Sequence, residues 1–471
     1  MVSTLNEQKI TEYFKNKSIL VTGSTGFLGK ILVEKILRVQ PDVKKIYLPV
    51  RAVDAAAAKH RVENEVVGKE LFGLLREKHG DGFKSFIQEK IVPLAGDVMG
   101  EDFGIDPETL KELRLTEELE VIVNGAATTN FYERYDVALD VNVMGVKHMC
   151  NFAKKCPNLK VLLHVSTAYV AGEKQGLVEE RPFDEGETLL EGTHLDINTE
   201  FRLASDLKKQ LQADDDSSSK AKRKAMKDLG LARARHFGWP NTYVFTKSMG
   251  EMVLGQMQGD VPIVIVRPSI ITSVQNDPLP GWIEGTRTID TIVIGYAKQN
   301  LTYFLADLDL TMDVIPGDMV VNAIIAAIVM HASSSFEKIM AHPKPRPPAV
   351  YHVTSSLRHP VSYNVLHEAG FRYRLFLELL HLLSIICCGL FGLGTLYHDH
   401  ACKYRFVMQL VDLYGPFALF KGCFDDVNLH KLRLTMADDH ASLFNFDPKT
   451  IDWDDYFYRV HIPGVIKYLV K

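Results

Sequence analysis

Tyr243 and Lys247 are the two residues whose types and spacing most directly indicate chemistry. They follow the turn Gly238–Pro240, whose proline favours the start of a helix, and a spacing of four places both side chains on one helix face. A phenol with a pKa of about 10 is a poor acid at neutral pH, but a neighbouring ammonium stabilises the phenolate and lowers that pKa. The pair therefore indicates proton transfer at a substrate oxygen.

A hydroxyl donor earlier in the chain strengthens this interpretation. Ser166 and Thr167 follow the apolar run Lys160–Val165, which predicts a buried strand. A tyrosine and a lysine at this spacing also occur by chance, and they become specific when such a hydroxyl ends a strand of the same sheet. Either hydroxyl is a candidate for that role.

A glycine-rich segment near the start of the chain has the spacing of a dinucleotide-binding loop. It lies between the apolar run at residues 18–22 and a segment with helical periodicity. In such a loop one glycine permits a tight turn, one lets the backbone approach a pyrophosphate, and one allows close packing of helix and strand. The free N–H groups and the dipole of the helix N-terminus favour phosphate. The residues predicted to contact the cofactor are Gly23, Thr25, Gly26, Phe27, Leu28 and Gly29.

The end of the second predicted strand indicates which dinucleotide is bound. An acidic residue there would bind a ribose 2′-hydroxyl, but this chain has Arg51, whose guanidinium suits a 2′-phosphate. The sequence therefore predicts NADPH rather than NADH. Asp97 and Val98, after the third strand, are predicted to lie at the adenine, although an aspartate at a strand end is often only a helix cap.

Alternating strands and helices define the predicted fold class. Apolar runs without polar alternation indicate strands buried on both faces, and their alternation with helices indicates a parallel sheet. We therefore predict an α/β protein with a Rossmann-type doubly wound parallel sheet and a smaller, mainly helical C-terminal domain. Besides the first, the predicted strands are a run ending at Arg51, Lys90–Leu94, Leu119–Asn124, Lys160–Val165 and Pro262–Val266.

The length of 471 residues predicts two domains. A proline-rich linker at residues 342–350 would separate a cofactor-binding domain, residues 1–341, from a C-terminal module, residues 351–471. Residues 204–235 form a charged insertion, which indicates either a solvated helix or loop, or a basic edge that attracts an anionic substrate. The basic residues of that edge are Lys220, Lys222, Arg223, Lys224 and Lys227.

Composition excludes several classes of protein. With 46% hydrophobic and 24% charged residues the chain is globular, and a net charge of −5 argues against a nucleic-acid partner. The six cysteines have neither disulfide nor metal-site spacing, so we expect reduced thiols and no metal. The first residues lack the features of a secretory signal.

Residues Leu375–Tyr397 form an apolar segment that is long enough to span a bilayer. Glu378 and His381 interrupt the segment, and a charge inside a span is costly. The segment therefore indicates a hairpin against a membrane or an acyl chain, with a buried pair of core helices as the alternative.

These motifs together resemble the extended short-chain dehydrogenase/reductase superfamily. The resemblance rests on the loop beginning at Thr22, Asn124–Ala127, the pair Ser166 and Thr167, Tyr243 with Lys247, and Arg267–Ser269. It implies that Tyr243 protonates a carbonyl oxygen, that Lys247 also binds the nicotinamide ribose, and that Thr167 orients the substrate, with Ser166 as the alternative. Pro268 is then expected beside the cofactor.

Longer segments are similar to the plant alcohol-forming fatty acyl-CoA reductases, including their male-sterility-type C-terminal module. They begin at Asn130, Leu162 and Phe245, and the last runs from Asp447 to Lys471. The resemblance implies reduction of a long-chain fatty acyl-CoA to a primary alcohol with two NADPH and release of coenzyme A, for wax- or suberin-type lipids. We expect attachment to the cytosolic face of the endoplasmic reticulum membrane, with a cytoplasmic protein as the alternative.

Two other functions compete with this one. An NADPH-dependent reductase or epimerase of a polar small molecule would share the site, but it would not need an apolar C-terminal module. A nucleotide-binding scaffold would not need Thr167, Tyr243 and Lys247 together. The sequence predicts neither the length and saturation of the acyl chain nor the oligomeric state of the protein.

Overall fold

The computed structural model describes most of the chain. The residues described are 5–214, 218–256, 262–286, 288–298, 307–339, 347–364, 415–417, 419–436 and 443–470. Their strands, in chain order, are β1 (Ser18–Thr22), β2 (Lys45–Val50), β3 (Ile91–Ala95), β4 (Leu119–Asn124), β5 (Val161–Val165), β6 (Gly176–Val178), β7 (Ile263–Pro268), β8 (Ile270–Thr272), β9 (Val314–Pro316), β10 (Ala349–Val353) and β11 (Gly422–Phe424).

Seven of these strands form one parallel sheet in the order β10-β7-β5-β4-β1-β2-β3. The chain enters the sheet at β1 and adds β2 and β3 on one side. It then crosses to β4, on the other side of β1, and adds β5, β7 and β10 toward the opposite edge. This is the doubly wound Rossmann arrangement, and it confirms the predicted fold class. The predicted strands occur within two residues of their expected ends. The strand order reverses between β1 and β4, and ligands bind in the crevice beyond that point.

Helices cover both faces of the sheet, because each strand has side chains that must be buried on both sides. They are α1 (Glu7–Tyr13), α2 (Phe27–Val39), α3 (Ala55–Arg61), α4 (Gly73–His79), α5 (Phe83–Lys90), α6 (Pro107–Glu112), α7 (Leu115–Glu118), α8 (Tyr135–Leu139), α9 (Gly145–Lys154), α10 (Ile197–Ala213), α11 (Ser219–His236), α12 (Thr242–Gln256), α13 (Thr288–Ala297) and α14 (Gly317–Ile339). Further helices at Val427–Leu434, Trp453–Asp455 and Ile462–Leu469 follow β11.

The edge strand β10 was not predicted. It pairs in parallel with β7, from Ala349 opposite Val264 to Val353 opposite Pro268. It crosses the predicted boundary between the linker and the C-terminal module at residue 351. Residues 351–353 therefore belong to the sheet of the first domain, and β11 also returns to that domain by pairing with β6.

The charged insertion forms two helices, α10 and α11, as its helical alternative predicts. A buried carboxylate joins them: Glu200 on α10 accepts hydrogen bonds from Arg233 on α11 at 2.6 and 2.9 Å and from the Tyr135 hydroxyl at 2.8 Å. A buried carboxylate that is both paired and hydrogen-bonded is costly to disturb. This contact therefore fixes the helical pair on the body of the domain.

No helix within the described ranges is long and apolar enough to cross a membrane. The apolar segment Leu375–Tyr397 lies outside the described residues. The expected membrane contact therefore stays a prediction.

Candidate active site

The glycine loop lies at the point where the strand order reverses. Gly23 has φ +73°, and a Cβ atom there would lie 2.6 Å from the backbone of Gly125, which follows β4. Only glycine fits this position, because the backbone is left-handed and the two loops nearly touch. A Cβ atom on Gly29 would lie 2.3 Å from the Gly23 carbonyl oxygen, so the third glycine allows helix α2 to pack on the loop.

The N-terminus of α2 can receive an anion. Gly26 is its N-cap, and no side chain caps the first turn. The Ser24 hydroxyl beside it is buried and has no hydrogen-bond partner among the residues with described positions. Free N–H groups, a positive helix end and a spare hydroxyl fit the pyrophosphate of a dinucleotide.

The remaining residues predicted to bind cofactor lie at the ends of neighbouring strands. Arg51 directly follows β2 and is exposed. The Asp97 carboxylate accepts from the Met99 N–H at 3.0 Å, so it stabilises its own turn after β3. The Val98 carbonyl faces the His148 ring at 3.4 Å, and Pro268 ends β7. Arg51, Asp97 and Val98 therefore flank the glycine loop on its β2–β3 side, whereas Pro268 lies on the β7 side.

Tyr243 and Lys247 both lie on α12, as predicted. The helix starts after Asn241, whose side chain accepts from the Val244 N–H at 3.1 Å, so an asparagine cap rather than the proline begins it. The Lys247 ammonium donates to the Val165 carbonyl at 2.8 Å. Val165 is the last residue of β5 and directly precedes the two candidate hydroxyls. The structure thus brings Lys247 to the strand end that holds them.

The two hydroxyls differ in their partners. Thr167 accepts from the Tyr169 N–H at 3.3 Å and caps a short helical turn. The Ser166 hydroxyl is buried, and within the described ranges it has no hydrogen-bond partner. Both residues therefore retain a free hydroxyl proton to donate, and the choice of Thr167 stays a prediction.

Lys247 is the end of a buried polar chain that the sequence did not reveal. Its ammonium contacts His164 Nε2 at 3.0 Å, and His164 Nδ1 contacts the Asn124 side-chain amide at 3.1 Å. The same amide contacts the Thr22 hydroxyl at 2.8 Å. The chain crosses from β5 through β4 to β1, and so connects the predicted catalytic lysine to the residue before Gly23.

Burial determines the charge states of Lys247 and His164. Desolvation lowers the pKa of Lys247 to about 8, against the opposing effect of the Glu251 carboxylate. Desolvation and the Lys247 charge hold the pKa of His164 well below its usual range, so the imidazole is neutral. A neutral imidazole can accept a hydrogen bond from the ammonium at Nε2, which keeps the lysine side chain in place.

A second buried group lies one helical turn beyond Lys247. Glu251 forms a bidentate pair with Arg267 on β7, and Arg267 also contacts His352 Nε2 on β10 at 3.2 Å. The pair is almost fully buried. It joins α12, β7 and β10, and so positions the helix that holds Tyr243. The motif Arg267–Ser269 was visible in the sequence, but its partners were not.

Asn142 is a further polar residue beside α12. It lies in the π-helical turn Asp140–Met144, and its amide donates to the Thr128 carbonyl at 3.1 Å and to Thr246 at 3.0 Å. It therefore holds the loop after β4 against the turn between Tyr243 and Lys247.

Aromatic rings surround the Tyr243 side chain. Phe131 stacks on it with ring centroids 5.7 Å apart and an angle of 12°. Phe131 and Tyr169 each contact Phe417 at 5.1 Å. Phe417 comes from the C-terminal part of the chain, so that part supplies an apolar wall to the site.

Two of the described cysteines are poor nucleophiles. Cys150 and Cys156 are buried on and after α9, and desolvation raises the pKa of each thiol to about 12. A thiol with such a pKa is protonated at neutral pH and does not attack a thioester. Neither Cys150 nor Cys156 is therefore a candidate nucleophile.

Comparison with known proteins gives these residues a family context. Two profiles described as male sterility protein match residues 21–324 and 372–471, and the first is an NAD-binding profile. The chain is 43% identical to the alcohol-forming fatty acyl-CoA reductase of Simmondsia chinensis, covering 98% of this chain and 99% of the relative. It is likewise 43% identical to fatty acyl-CoA reductase 1 of Arabidopsis thaliana, over 99% and 100% of the two chains.

Solved structures of other proteins share the fold of this chain. The reductase domain of a Mycobacterium tuberculosis nonribosomal peptide synthetase matches with a TM-score of 0.58 and 17% identity, covering 99% of this chain and 96% of that one. The terminal reductase domain of the myxalamid pathway matches with a TM-score of 0.57, also at 17% identity, covering 96% and 91%. At this identity the likeness concerns architecture alone. With its two profile matches and its full-length identity to the plant enzymes, the chain belongs to the fatty acyl-CoA reductases of the male sterility protein family.

Proposed function

We propose that this chain reduces a long-chain fatty acyl-CoA to the primary alcohol and releases coenzyme A, with NADPH as the reductant. The observation that supports this most strongly is the contact between Lys247 and Val165. It brings Lys247 to the end of β5, directly before the two candidate hydroxyls, and Tyr243 lies one turn earlier on the same helix. The site therefore has both a dinucleotide cradle and a proton donor.

The residues present fit a nicotinamide dinucleotide. Gly23 lets the loop turn tightly against the backbone of Gly125, and the α2 N-terminus and Ser24 supply donors for a pyrophosphate. Arg51 would hold a 2′-phosphate, and Lys247 would hold the nicotinamide ribose. When bound, the cofactor would supply a hydride to a substrate carbonyl carbon.

In the first reduction, the thioester carbonyl oxygen becomes an oxyanion. The Tyr243 and Thr167 hydroxyls donate hydrogen bonds to it, and the Lys247 ammonium favours negative charge nearby. Collapse of the tetrahedral hemithioacetal expels the coenzyme A thiolate and leaves an aldehyde. The aromatic wall of Phe131 and Phe417 excludes water from the reacting carbon.

In the second reduction, the aldehyde is reduced at the same place and becomes an alcohol. Tyr243 then gives its proton to the alkoxide oxygen, and Lys247 stabilises the phenolate that results. Thr167 again orients the oxygen by a hydrogen bond. One set of side chains therefore serves both steps.

A direct assay tests this proposal. The protein is incubated with NADPH and a long-chain acyl-CoA, and free thiol and fatty alcohol are measured. Equal amounts of the two products, at two NADPH per alcohol, are expected. A reductase or epimerase of polar molecules would give neither product, and a scaffold would bind NADPH without oxidising it.

Arg51 provides a prediction about cofactor preference. It is exposed at the end of β2, and among the described residues no carboxylate forms an ion pair with it. Arg51→Asp should lower the preference for NADPH over NADH, because a charged contact to the 2′-phosphate becomes repulsion, at a cost of about 3 kcal/mol. The measurement is kcat/KM with each cofactor.

Lys59→Asp on α3 is the matched control, since this exposed lysine lies nearby in sequence and undergoes the same charge change. It should leave the preference unchanged. If Arg51→Asp also left it unchanged, another cation would bind the 2′-phosphate.

We also propose that the protein works at the cytosolic face of the endoplasmic reticulum membrane, attached through Leu375–Tyr397. The acyl tail and the alcohol product prefer a bilayer, since burying each methylene stabilises by about 0.8 kcal/mol. The intact protein should sediment with microsomes, and a variant lacking Leu375–Tyr397 should shift to the supernatant. Intact protein that stays soluble at low salt without detergent would contradict the attachment, and the segment would then be a lid over an internal acyl tunnel.

A further inference from the structure

One face of α11 holds a row of basic side chains that the mechanism above does not use. Lys220, Arg223, Lys224 and Lys227 are spaced i, i+3, i+4 and i+7, so they lie on one face of the helix. We call these four residues the basic stripe. Lys222 lies off this face.

Within the described residues, Lys224 is the only member of the basic stripe that forms an ion pair. Lys224 donates to Asp228 at 2.5 Å. In the part of the chain that the structure describes, Lys220, Arg223 and Lys227 form no ion pair. The N-terminus of α11, capped by Ser218, lies at the Lys220 end, so the helix dipole adds positive potential there. The basic stripe therefore favours an anion with several charges.

A pair of adjacent aromatic residues connects the basic stripe to the site. The Lys227 ammonium lies 5.0 Å from the centroid of the Tyr132 ring. The Tyr132 hydroxyl donates to Asp228. The next ring, Phe131, stacks on Tyr243. A ligand that runs over these two rings would thus touch both the basic stripe and the proton donor.

Packing between α11 and α12 fixes the distance from the basic stripe to Tyr243. A Cβ atom on Gly230 would lie 2.9 Å from the Thr242 hydroxyl oxygen, so α11 contacts the first turn of α12, directly beside Tyr243. Lys220 lies ten residues before Gly230, which is roughly 15 Å along the helix. An anion at the basic stripe therefore needs an extended arm to bring a reacting group to Tyr243.

We propose that the basic stripe binds the phosphate groups of the coenzyme A moiety. The pantetheine arm then crosses Tyr132 and Phe131 and places the thioester at Tyr243. Guanidinium and ammonium groups bind phosphates by charge-assisted hydrogen bonds. This inference rests on the proposed function, and it assigns the two phosphate-bearing ligands to different elements: the dinucleotide to the α2 N-terminus and coenzyme A to α11.

The test compares three substrates of the full-length protein: an acyl-CoA, the corresponding acyl-pantetheine, which lacks the phosphates, and the fatty aldehyde. Lys220→Glu/Arg223→Glu should raise the KM for acyl-CoA about tenfold, because two attractive contacts become repulsive. The KM for acyl-pantetheine and for the aldehyde should not change. Lys111→Glu/Lys154→Glu, exposed lysines on helices that precede β4 and β5, is the control with the same change in charge.

Each result decides between distinct explanations. An equal KM for acyl-CoA in wild type and in Lys220→Glu/Arg223→Glu, with aldehyde reduction intact, would overturn the basic stripe as the phosphate site. If this variant no longer sedimented with anionic phospholipid vesicles but kept the wild-type KM for acyl-CoA, the proposal would also be overturned. The basic stripe would then be assigned to lipid headgroups. If wild type oxidised NADPH with none of the three substrates, the proposed function itself would fail.

Discussion

Tyr243→Phe is expected to abolish reduction of both the thioester and the aldehyde while NADPH still binds. The substitution removes the proton donor alone, since a phenylalanine ring can keep the stacking contact with Phe131. Proton transfer by a positioned side chain accelerates a reaction by about 10²- to 10⁴-fold, so turnover should fall at least 10²-fold. NADPH oxidation and alcohol formation measure the loss, and a direct NADPH titration measures binding.

Tyr47→Phe is a suitable control for this experiment. It removes a buried tyrosine hydroxyl on β2, outside the proposed catalytic group. It should leave turnover close to that of wild type. If Tyr243→Phe also kept most of its turnover, the assignment of Tyr243 as proton donor would be wrong.

Lys247→Ala is expected to lose activity and also to weaken NADPH binding. In our proposal its ammonium stabilises the Tyr243 phenolate and holds the nicotinamide ribose. The substitution also leaves His164 and the Val165 carbonyl without their donor, and an unsatisfied buried acceptor costs about 1–3 kcal/mol. Lys247→Met preserves more of the side-chain volume and separates loss of charge from loss of packing.

The charge of Lys247 also predicts how activity depends on pH. Burial lowers its pKa to about 8, so the ammonium is present below that pH and is lost as pH rises through it. Reduction should therefore fall above about pH 8, and this alkaline limb should be missing from the residual activity of Lys247→Met. A variant without Lys247 that bound NADPH as tightly as wild type would contradict the ribose contact.

The features that the sequence predicted are those encoded by short segments. The Gly23–Gly29 loop requires three glycines within seven residues, and buried parallel strands give continuous apolar runs. The spacing of Tyr243 and Lys247 placed both on one helix. Each of these follows from local periodicity or backbone geometry, and the structure confirms the loop, the helix and the predicted strands.

The features that were missed depend on which strands become neighbours. His164 lies inside an apolar run and looked like part of a strand, but it contacts Asn124 and Lys247 only because β4 and β5 pair and α12 packs across them. Glu251 gave no signal at all, since its partner Arg267 is on another element. Phe417 reaches Tyr243 through Phe131 from a part of the chain expected to be a separate module.

The position of β10 has a consequence for the order of events during synthesis. Val264 and its sheet partner Ala349 are separated by about 85 residues, so β7 leaves the ribosome long before its outer neighbour exists. At translation rates of about 5–20 residues per second, this delay is roughly 4 to 17 s. During that interval the apolar edge of β7 has unpaired backbone groups that can join another chain, and Arg267 lacks His352. A nascent chain of this protein is therefore most dependent on chaperones between the synthesis of β7 and that of β10.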